Sequence, residues 1–262
     1  MTYRHAALLL AAHGSTQNQD SSRPTREQAE RIRQRGIFAE VYVCFWLEPP
    51  FYKDVLNLVQ SREVYLVPNF ISEGYYTKQI LPREFSLTGP VTEVRGHRIY
   101  HCDPVGTHPS MTEVLLRRAR AILETEKLSE KDVCLLIAGH GTPRNENSKA
   151  VIVAQVEKLR ALGVYGQVEA AFLEEPPFIR DWRTLTALPQ MIVVPFFVSD
   201  GLHASEDIPA LLASGESGTA AASNDATTDR RRFWVAPSLG TEPGMADVIL
   251  ALVEKFHAEH LL

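Results

Sequence analysis

Three side chains in the second half of this 262-residue sequence have the chemistry of a metal site: His140, Glu175 and His203. Each follows a short apolar segment of the kind that forms a buried strand. The carboxyl ends of parallel strands meet at one edge of a sheet, where open α/β sheets bind ligands. Two imidazoles and a carboxylate bind transition metals and leave coordination positions open. The spacing is too long for a local HExxH motif, so the prediction of metal and catalytic roles depends on the strand ends.

Each of these residues also has a structural interpretation. A histidine before glycine can hydrogen-bond a loop, and a glutamate before Pro-Pro can be a charge that favours a helix start. The first half helps to choose, because it contains His13 and Glu48 at matching positions but Tyr76 in place of His203. A structural residue is expected to be alike in both halves. The difference therefore favours metal binding in the second half, with His13, Glu48 and Tyr76 forming a substrate-binding wall.

The two halves are related by an internal duplication. A constant offset of 127 residues aligns Val67–Pro82 with Val194–Pro209, and it also aligns His13 with His140 and Glu48 with Glu175. Matches that share one offset over a long range indicate repeated structural units. The sequence predicts an N-terminal repeat at residues 1–129 and a C-terminal repeat at 130–262, the latter with the fuller metal set.

Strand and helix patterns alternate in both repeats, which predicts parallel sheets covered by helices. We expect an α/β fold of two similar units, each a four-stranded parallel sheet with helices on both faces. The polar segment Ser214–Asp229 is expected to be a loop. The predicted strands are Ala6–Ala12, Glu40–Trp46, Val64–Pro68, Arg98–Cys102, Val133–Ala138, Gln167–Phe172, Met191–Phe197 and Arg232–Ala236. The predicted helices are Arg23–Gln34, Ser110–Glu126, Lys149–Ala161 and Gly244–His260.

Composition excludes several classes of function. A net charge of −5 without a concentrated basic face argues against nucleic-acid binding. Three cysteines without CxxC spacing indicate a reducing compartment, so we expect a cytoplasmic protein. No apolar run reaches the roughly 18 residues of a membrane helix. Neither a GxxxxGK[ST] loop nor a GxGxxG fingerprint is present, so neither ATP nor a dinucleotide is expected as a cofactor.

Four motifs carry a resemblance to a known family: LLLAAHGS at 8–15, LLIAGHGTPRN at 135–145, FLEEPPF at 172–178 and VVPFFVSDGLHASEDIP at 193–209. The chain resembles class II tetrapyrrole chelatases of the sirohydrochlorin cobaltochelatase and ferrochelatase (CbiX) group, in their long form with two fused repeats. The resemblance implies that His140, Glu175 and His203 handle the metal. Some long relatives keep the functional histidine pair in the first half, and Tyr76 departs from that pattern.

The resemblance also implies a reaction. A divalent ion, Co²⁺, Fe²⁺ or Ni²⁺, would be a substrate inserted without ATP into sirohydrochlorin, with no permanently bound cofactor. The macrocycle would lie in a cleft that His13 and His140 face, in a monomer acting as a pseudo-dimer. Arg144 and Arg180 would meet its carboxylates, as would Lys53 and Lys78. A noncatalytic carrier of metal or tetrapyrrole with the same fold is the alternative, and insertion of iron into a less acidic porphyrin is a weaker rival.

Overall fold

The computed structural model of this chain describes residues 2–142, 146–199, 206–214 and 231–261. Two predicted site residues, Arg144 and His203, lie outside these ranges. The predicted loop Ser214–Asp229 also lies outside them, except for Ser214, which is the last residue of a helix.

The strands follow the predicted order, with one addition. They are β1 Tyr3–Ala12, β2 Phe38–Phe45, β3 Glu63–Pro68, β4 Val91–Val94, β5 His97–His101, β6 Val133–Gly139, β7 Gln167–Phe172, β8 Gln190–Pro195 and β9 Arg232–Val235. The α-helices are α1 Arg23–Gln34, α2 Tyr52–Val55, α3 Leu81–Glu84, α4 Met111–Glu126, α5 Glu146–Ala161, α6 Trp182–Leu185, α7 Ile208–Ser214 and α8 Met245–His260. A π-helix spans Tyr76–Ile80, and short 3₁₀ turns include Gln19–Ser21, Val105–Thr107, Glu130–Asp132, Ile179–Asp181 and Leu239–Thr241.

Four parallel strands have the same order in both sheets, and the first sheet has one further strand at its edge. The first is β2-β1-β3-β5-β4 and the second is β7-β6-β8-β9, so the predicted α/β fold is confirmed. The unpredicted strand is β4, which pairs antiparallel with β5 at the edge of the first sheet. A two-residue turn at Arg95 and Gly96 joins them, with φ of 50° and 83°. Positive φ at both central residues is the geometry that suits the twist of a tight hairpin.

The first unit has helices on both faces of its sheet. One face of β1 carries Ala7, Leu9 and Ala11, which belong to a buried cluster with residues of α2 and α3. The opposite face of the sheet packs on α8, where the rings of Tyr100 and Phe256 have centroids 5.8 Å apart. Burying strands on both faces explains why β1 reads as an uninterrupted apolar run.

The second unit repeats this arrangement around β6, whose residues are all buried. Its core includes Trp182, which is fully buried and donates from Nε1 to the carbonyl of Leu212 at 3.1 Å. This bond satisfies the indole N–H inside an apolar cluster and holds α7 against α6. It thereby fixes the position of α7, which begins directly after Asp207.

The compact units differ from the sequence repeats in their last helices. The first unit comprises residues 2–111, 198–199 and 240–261 of the described chain, so α8 of the second repeat packs in it. There Lys255 Nζ lies 2.7 Å from the Asp103 carboxylate. The second unit contains most of α4 from the first repeat, where Thr112 Oγ1 donates to Gln155 Oε1 at 2.6 Å. Within the described ranges, no helix has the length and apolar character needed to cross a lipid bilayer.

Candidate metal centre

The turn that follows β6 positions His140. Its carbonyl accepts hydrogen bonds from the backbone N–H groups of Leu173 and Glu174, each at 3.0 Å. The next residue, Gly141, has φ of +67°, and a Cβ there would lie 2.7 Å from Cγ of Glu175. Only glycine fits this close approach in the left-handed region. The local sequence therefore ties the end of β6 to the segment that follows β7.

Glu175 holds this turn in place. Its Oε1 accepts from the N–H of Thr142 at 2.9 Å, and its Oε2 accepts from Lys149 Nζ at 3.3 Å. The same ammonium group donates to the carbonyl of Pro176 at 2.8 Å. With 17% of its side chain exposed, Glu175 acts here as a carboxylate that joins two loops and the start of α5. Its predicted metal role stays a prediction.

The carboxylate of Glu174 lies close to the His140 ring. The distance from His140 Nε2 to Glu174 Oε1 is 3.8 Å, and 39% and 55% of the two side chains are exposed. An imidazole nitrogen and a carboxylate oxygen at this separation can approach one ion from two sides. Sequence reasoning missed Glu174, although a signal was present, because the first repeat has Leu47 at the matching position.

These two side chains border a cavity of about 390 Å³ within the second unit. Asp207 also lines it, and Leu173, Ala210 and Leu211 supply apolar surface. Among the described residues, no three His, Cys, Asp or Glu side chains are grouped closely enough to hold a metal ion. The described part of the cavity therefore offers a two-donor site with open positions, and Asp207 in its lining follows His203 by four residues in the sequence.

The first unit has the same turn, but a tyrosine lies beside its histidine. Glu48 accepts from the N–H of Ser15 at 3.1 Å and from Arg26 Nη2 at 3.3 Å, and so repeats the role of Glu175. Tyr76 packs edge-on against the His13 ring, with centroids 4.6 Å apart. Burial, with a smaller contribution from Tyr75, raises the pKa of Tyr76, which keeps the phenol protonated and makes it a poor ligand. The first unit thus presents an aromatic surface beside its histidine.

The remaining basic residues that were predicted to bind substrate have local partners. Arg180 stacks on Phe178, its guanidinium carbon 4.1 Å from the ring centroid. Lys78 forms an exposed ion pair with Glu73 at 2.7 Å. Lys53 Nζ lies 5.7 Å from the Phe51 ring centroid. Contact of these groups with a substrate carboxylate stays a prediction.

Comparison with known sequences identifies the family. The sequence profile of the CbiX family matches residues 7–122 and again residues 134–255. This chain belongs to the CbiX family. The two matched segments agree with the internal duplication, and the resemblance predicted from the motifs is confirmed.

Among CbiX relatives, a probable sirohydrochlorin cobaltochelatase of Halobacterium salinarum is 38% identical over 93% of this chain and 89% of its own length. A multi-domain protein of Deinococcus radiodurans, described as similar in structure to chelatases, is 30% identical with a TM-score of 0.81. The match covers 94% of this chain and 54% of that protein, so the CbiX chain spans about half of its length.

The fold also matches the sirohydrochlorin chelatase SirB of Bacillus subtilis subspecies spizizenii, solved in complex with cobalt. The TM-score is 0.72 at 14% identity, covering 100% of this CbiX chain and 97% of SirB. At this identity the likeness supports the fold alone. The described part of this chain and the chelatase structure therefore share one α/β architecture.

Proposed function

We propose that this CbiX-family chain is a metal chelatase that inserts Co²⁺ or Fe²⁺ into sirohydrochlorin. The observation that carries the proposal is the pair formed by His140 Nε2 and Glu174 Oε1, 3.8 Å apart at the cavity of the second unit. The name of the Halobacterium relative supports the same reaction and the choice of cobalt. His203, which follows β8 in the sequence, would supply a third ligand.

The geometry suits the chemistry of insertion. The ion forms bonds to all four ring nitrogens, two N–H bonds break, two protons leave, and the oxidation state of the metal does not change. A site for this reaction must bind the ion weakly enough to release it into the macrocycle. Two partly exposed donors meet this need, whereas a closed cage of four ligands would retain the ion. Histidine and carboxylate ligands accept Fe²⁺, Co²⁺ and Ni²⁺, so the choice of metal depends on supply as well as on the site.

The test compares His140→Ala with His13→Ala, because the two histidines occupy matching turns. Initial rates of Co²⁺ insertion into sirohydrochlorin would be followed by absorbance, with circular dichroism as the folding control. We expect His140→Ala to lose at least about 100-fold in rate, the scale of a lost catalytic side chain, and His13→Ala to lose far less. An inactive His13→Ala beside an active His140→Ala would move the metal site to the first unit.

The number of turnovers distinguishes an enzyme from a carrier. An enzyme releases many equivalents of metallated product, whereas a carrier of metal or tetrapyrrole stops at one equivalent per chain.

We also propose that a single cytoplasmic chain acts as a pseudo-dimer, without a permanently bound cofactor. The duplication and the two family matches support the pseudo-dimer, and the free cysteines Cys44, Cys102 and Cys134 are in keeping with a reducing compartment.

A further inference from the structure

Asp207 lines the same cavity as His140 and Glu174 but has no assigned role. It directly precedes α7, which the bond from Trp182 to Leu212 anchors in the core of the second unit. No lysine or arginine is among the described residues that line this cavity. The ionisable groups of this described lining are therefore one imidazole and two carboxylates, a composition that attracts cations.

Comparison of the repeats shows that both carboxylates belong to the second one only. The offset of 127 residues places Leu47 at the position of Glu174 and Ile80 at the position of Asp207. Ile80 is buried in the core of the first unit. The first repeat therefore keeps the histidine of this cavity and replaces both acids by apolar residues. Asp207 and Glu174 are thus present in the repeat that has the candidate metal centre, and they are replaced in the repeat that has the aromatic surface.

We propose that Asp207 receives the hydrated divalent cation and holds it through bound water before His140 and Glu174 bind the ion directly. The inference rests on the proposed function, since it adds a step to metal loading. Direct ligation by all three side chains is disfavoured because they do not form a compact ligand group. A carboxylate that accepts hydrogen bonds from metal-bound water acts at a longer distance, and its negative charge raises the local concentration of cations.

The test is Asp207→Asn, which keeps the size of the side chain and removes its charge. Co²⁺ binding would be measured by titration calorimetry without tetrapyrrole, and the KM for Co²⁺ would be measured in the insertion assay. We expect the dissociation constant for Co²⁺ and the KM for Co²⁺ each to rise about tenfold. This is the effect of removing one charge about 6 Å from a dication in nearly aqueous surroundings. The difference from wild type should shrink in 0.5 M salt, because ions screen the interaction. The kcat and the KM for sirohydrochlorin should stay within about twofold of wild type.

Glu206→Gln is the matched control, because Glu206 is the neighbouring exposed acid and does not line the cavity. It should leave Co²⁺ binding unchanged. Equal Co²⁺ affinities for wild type and Asp207→Asn would overturn the inference, as would equal losses in both variants or a loss in kcat alone. Calorimetry needs no turnover. A weakened Co²⁺ affinity in a protein that inserts no metal would therefore refute the proposed function and leave the role of Asp207 in cation binding intact.

Discussion

Two adjacent glutamates after β7 have different surroundings, and from this difference we expect different roles. Glu175 accepts hydrogen bonds from Thr142 and Lys149, and only 17% of its side chain is exposed. Glu174 is 55% exposed and lies 3.8 Å from the His140 ring. Hydrogen bonds to a charged group each contribute about 1.5–3 kcal/mol when partly buried. We therefore expect Glu174 to bind the ion and Glu175 to contribute mainly to the stability of the turn.

Neutralising each glutamate in turn separates these roles. We expect Glu174→Gln to weaken Co²⁺ binding and lower the insertion rate while leaving stability within about 0.5 kcal/mol of wild type. Glu175→Gln should lower the free energy of unfolding by about 1–3 kcal/mol, because Lys149 loses its charged partner. Urea unfolding and calorimetric Co²⁺ titration would measure the two effects. The opposite pattern, with Glu175→Gln stable and unable to bind Co²⁺, would return the metal role to Glu175.

The sequence distinguishes Glu174 from the matching residue of the first repeat, whereas the prediction selected Glu175, which is the same in both repeats. Glu175 is matched by Glu48 in the first repeat, and the structure places both in the same hydrogen-bonding role. Glu174 is matched by Leu47, just as His203 is matched by Tyr76. We therefore interpret the identical glutamates as residues of the shared turn, and the residues that differ as candidates for the chemistry of the second repeat. The distance from Glu174 to His140 could not be predicted, because it depends on how two loops meet at the sheet edge.

Burial of His101, at the end of β5, predicts a pH dependence of stability. Burial lowers the pKa of His101, the Asp103 carboxylate raises it, and the Lys78 ammonium lowers it, with a net decrease. In the unfolded chain the imidazole regains its ordinary pKa of about 6.5. Below that pH the unfolded state binds more protons than the folded state, so stability falls as pH falls.

Replacing this histidine by glutamine removes the titrating group. We expect the free energy of unfolding to decrease less between pH 7.5 and pH 5.5 in His101→Gln than in wild type. Urea denaturation at the two pH values measures both decreases, and the difference between proteins cancels the other groups that titrate. A decrease of the same size in both proteins would show that His101 is protonated equally in its folded and unfolded states.

At the scale of elements, the repeated strands and long helices were predictable. Buried parallel strands such as β1 and β6 are continuous apolar runs, and α1 begins and ends as predicted at Arg23 and Gln34. The short strand β4 was missed, because its turn at Arg95 and Gly96 lacks the Asn-Gly or Asp-Gly signal of a tight hairpin.

Two glycines test how closely the elements approach at the metal centre. Gly141 and Gly163 both have positive φ, of +67° and +62°, but a Cβ at Gly163 would meet nothing within 4 Å. Gly163→Ala should therefore lower the free energy of unfolding by only about 1 kcal/mol, the cost of a left-handed backbone conformation for a residue with a Cβ. Gly141→Ala adds a clash with Phe172 and Glu175, so we expect a loss of about 3 kcal/mol and slower insertion. Urea unfolding of the two variants measures the difference, and equal losses would mean that the turn after β6 relaxes freely.

At the scale of the whole molecule, the constant offset revealed the duplication but not the membership of the last helices. Both α4 and α8 are sixteen-residue helices at the ends of their repeats. An amphipathic helix can cover either of two similar sheets, so local sequence does not specify which one it joins. The structure assigns α8 to the first unit, where Tyr65 Oη lies 3.0 Å from His257 Nδ1.

This assignment predicts that the repeats depend on each other for folding. The buried side chains of α8 include Ile249, Leu252, Val253 and Phe256. At about 2 kcal/mol each, these four contribute about 8 kcal/mol, which is comparable to the whole net stability of a domain at about 5–15 kcal/mol. A fragment of residues 1–129 lacks α8, so we expect it to show no cooperative unfolding as a monomer. Mixing it with a fragment of residues 130–262 should restore the circular dichroism spectrum and the cooperative transition. A fragment 1–129 that unfolds cooperatively alone would show that α4 can replace α8 on the first sheet.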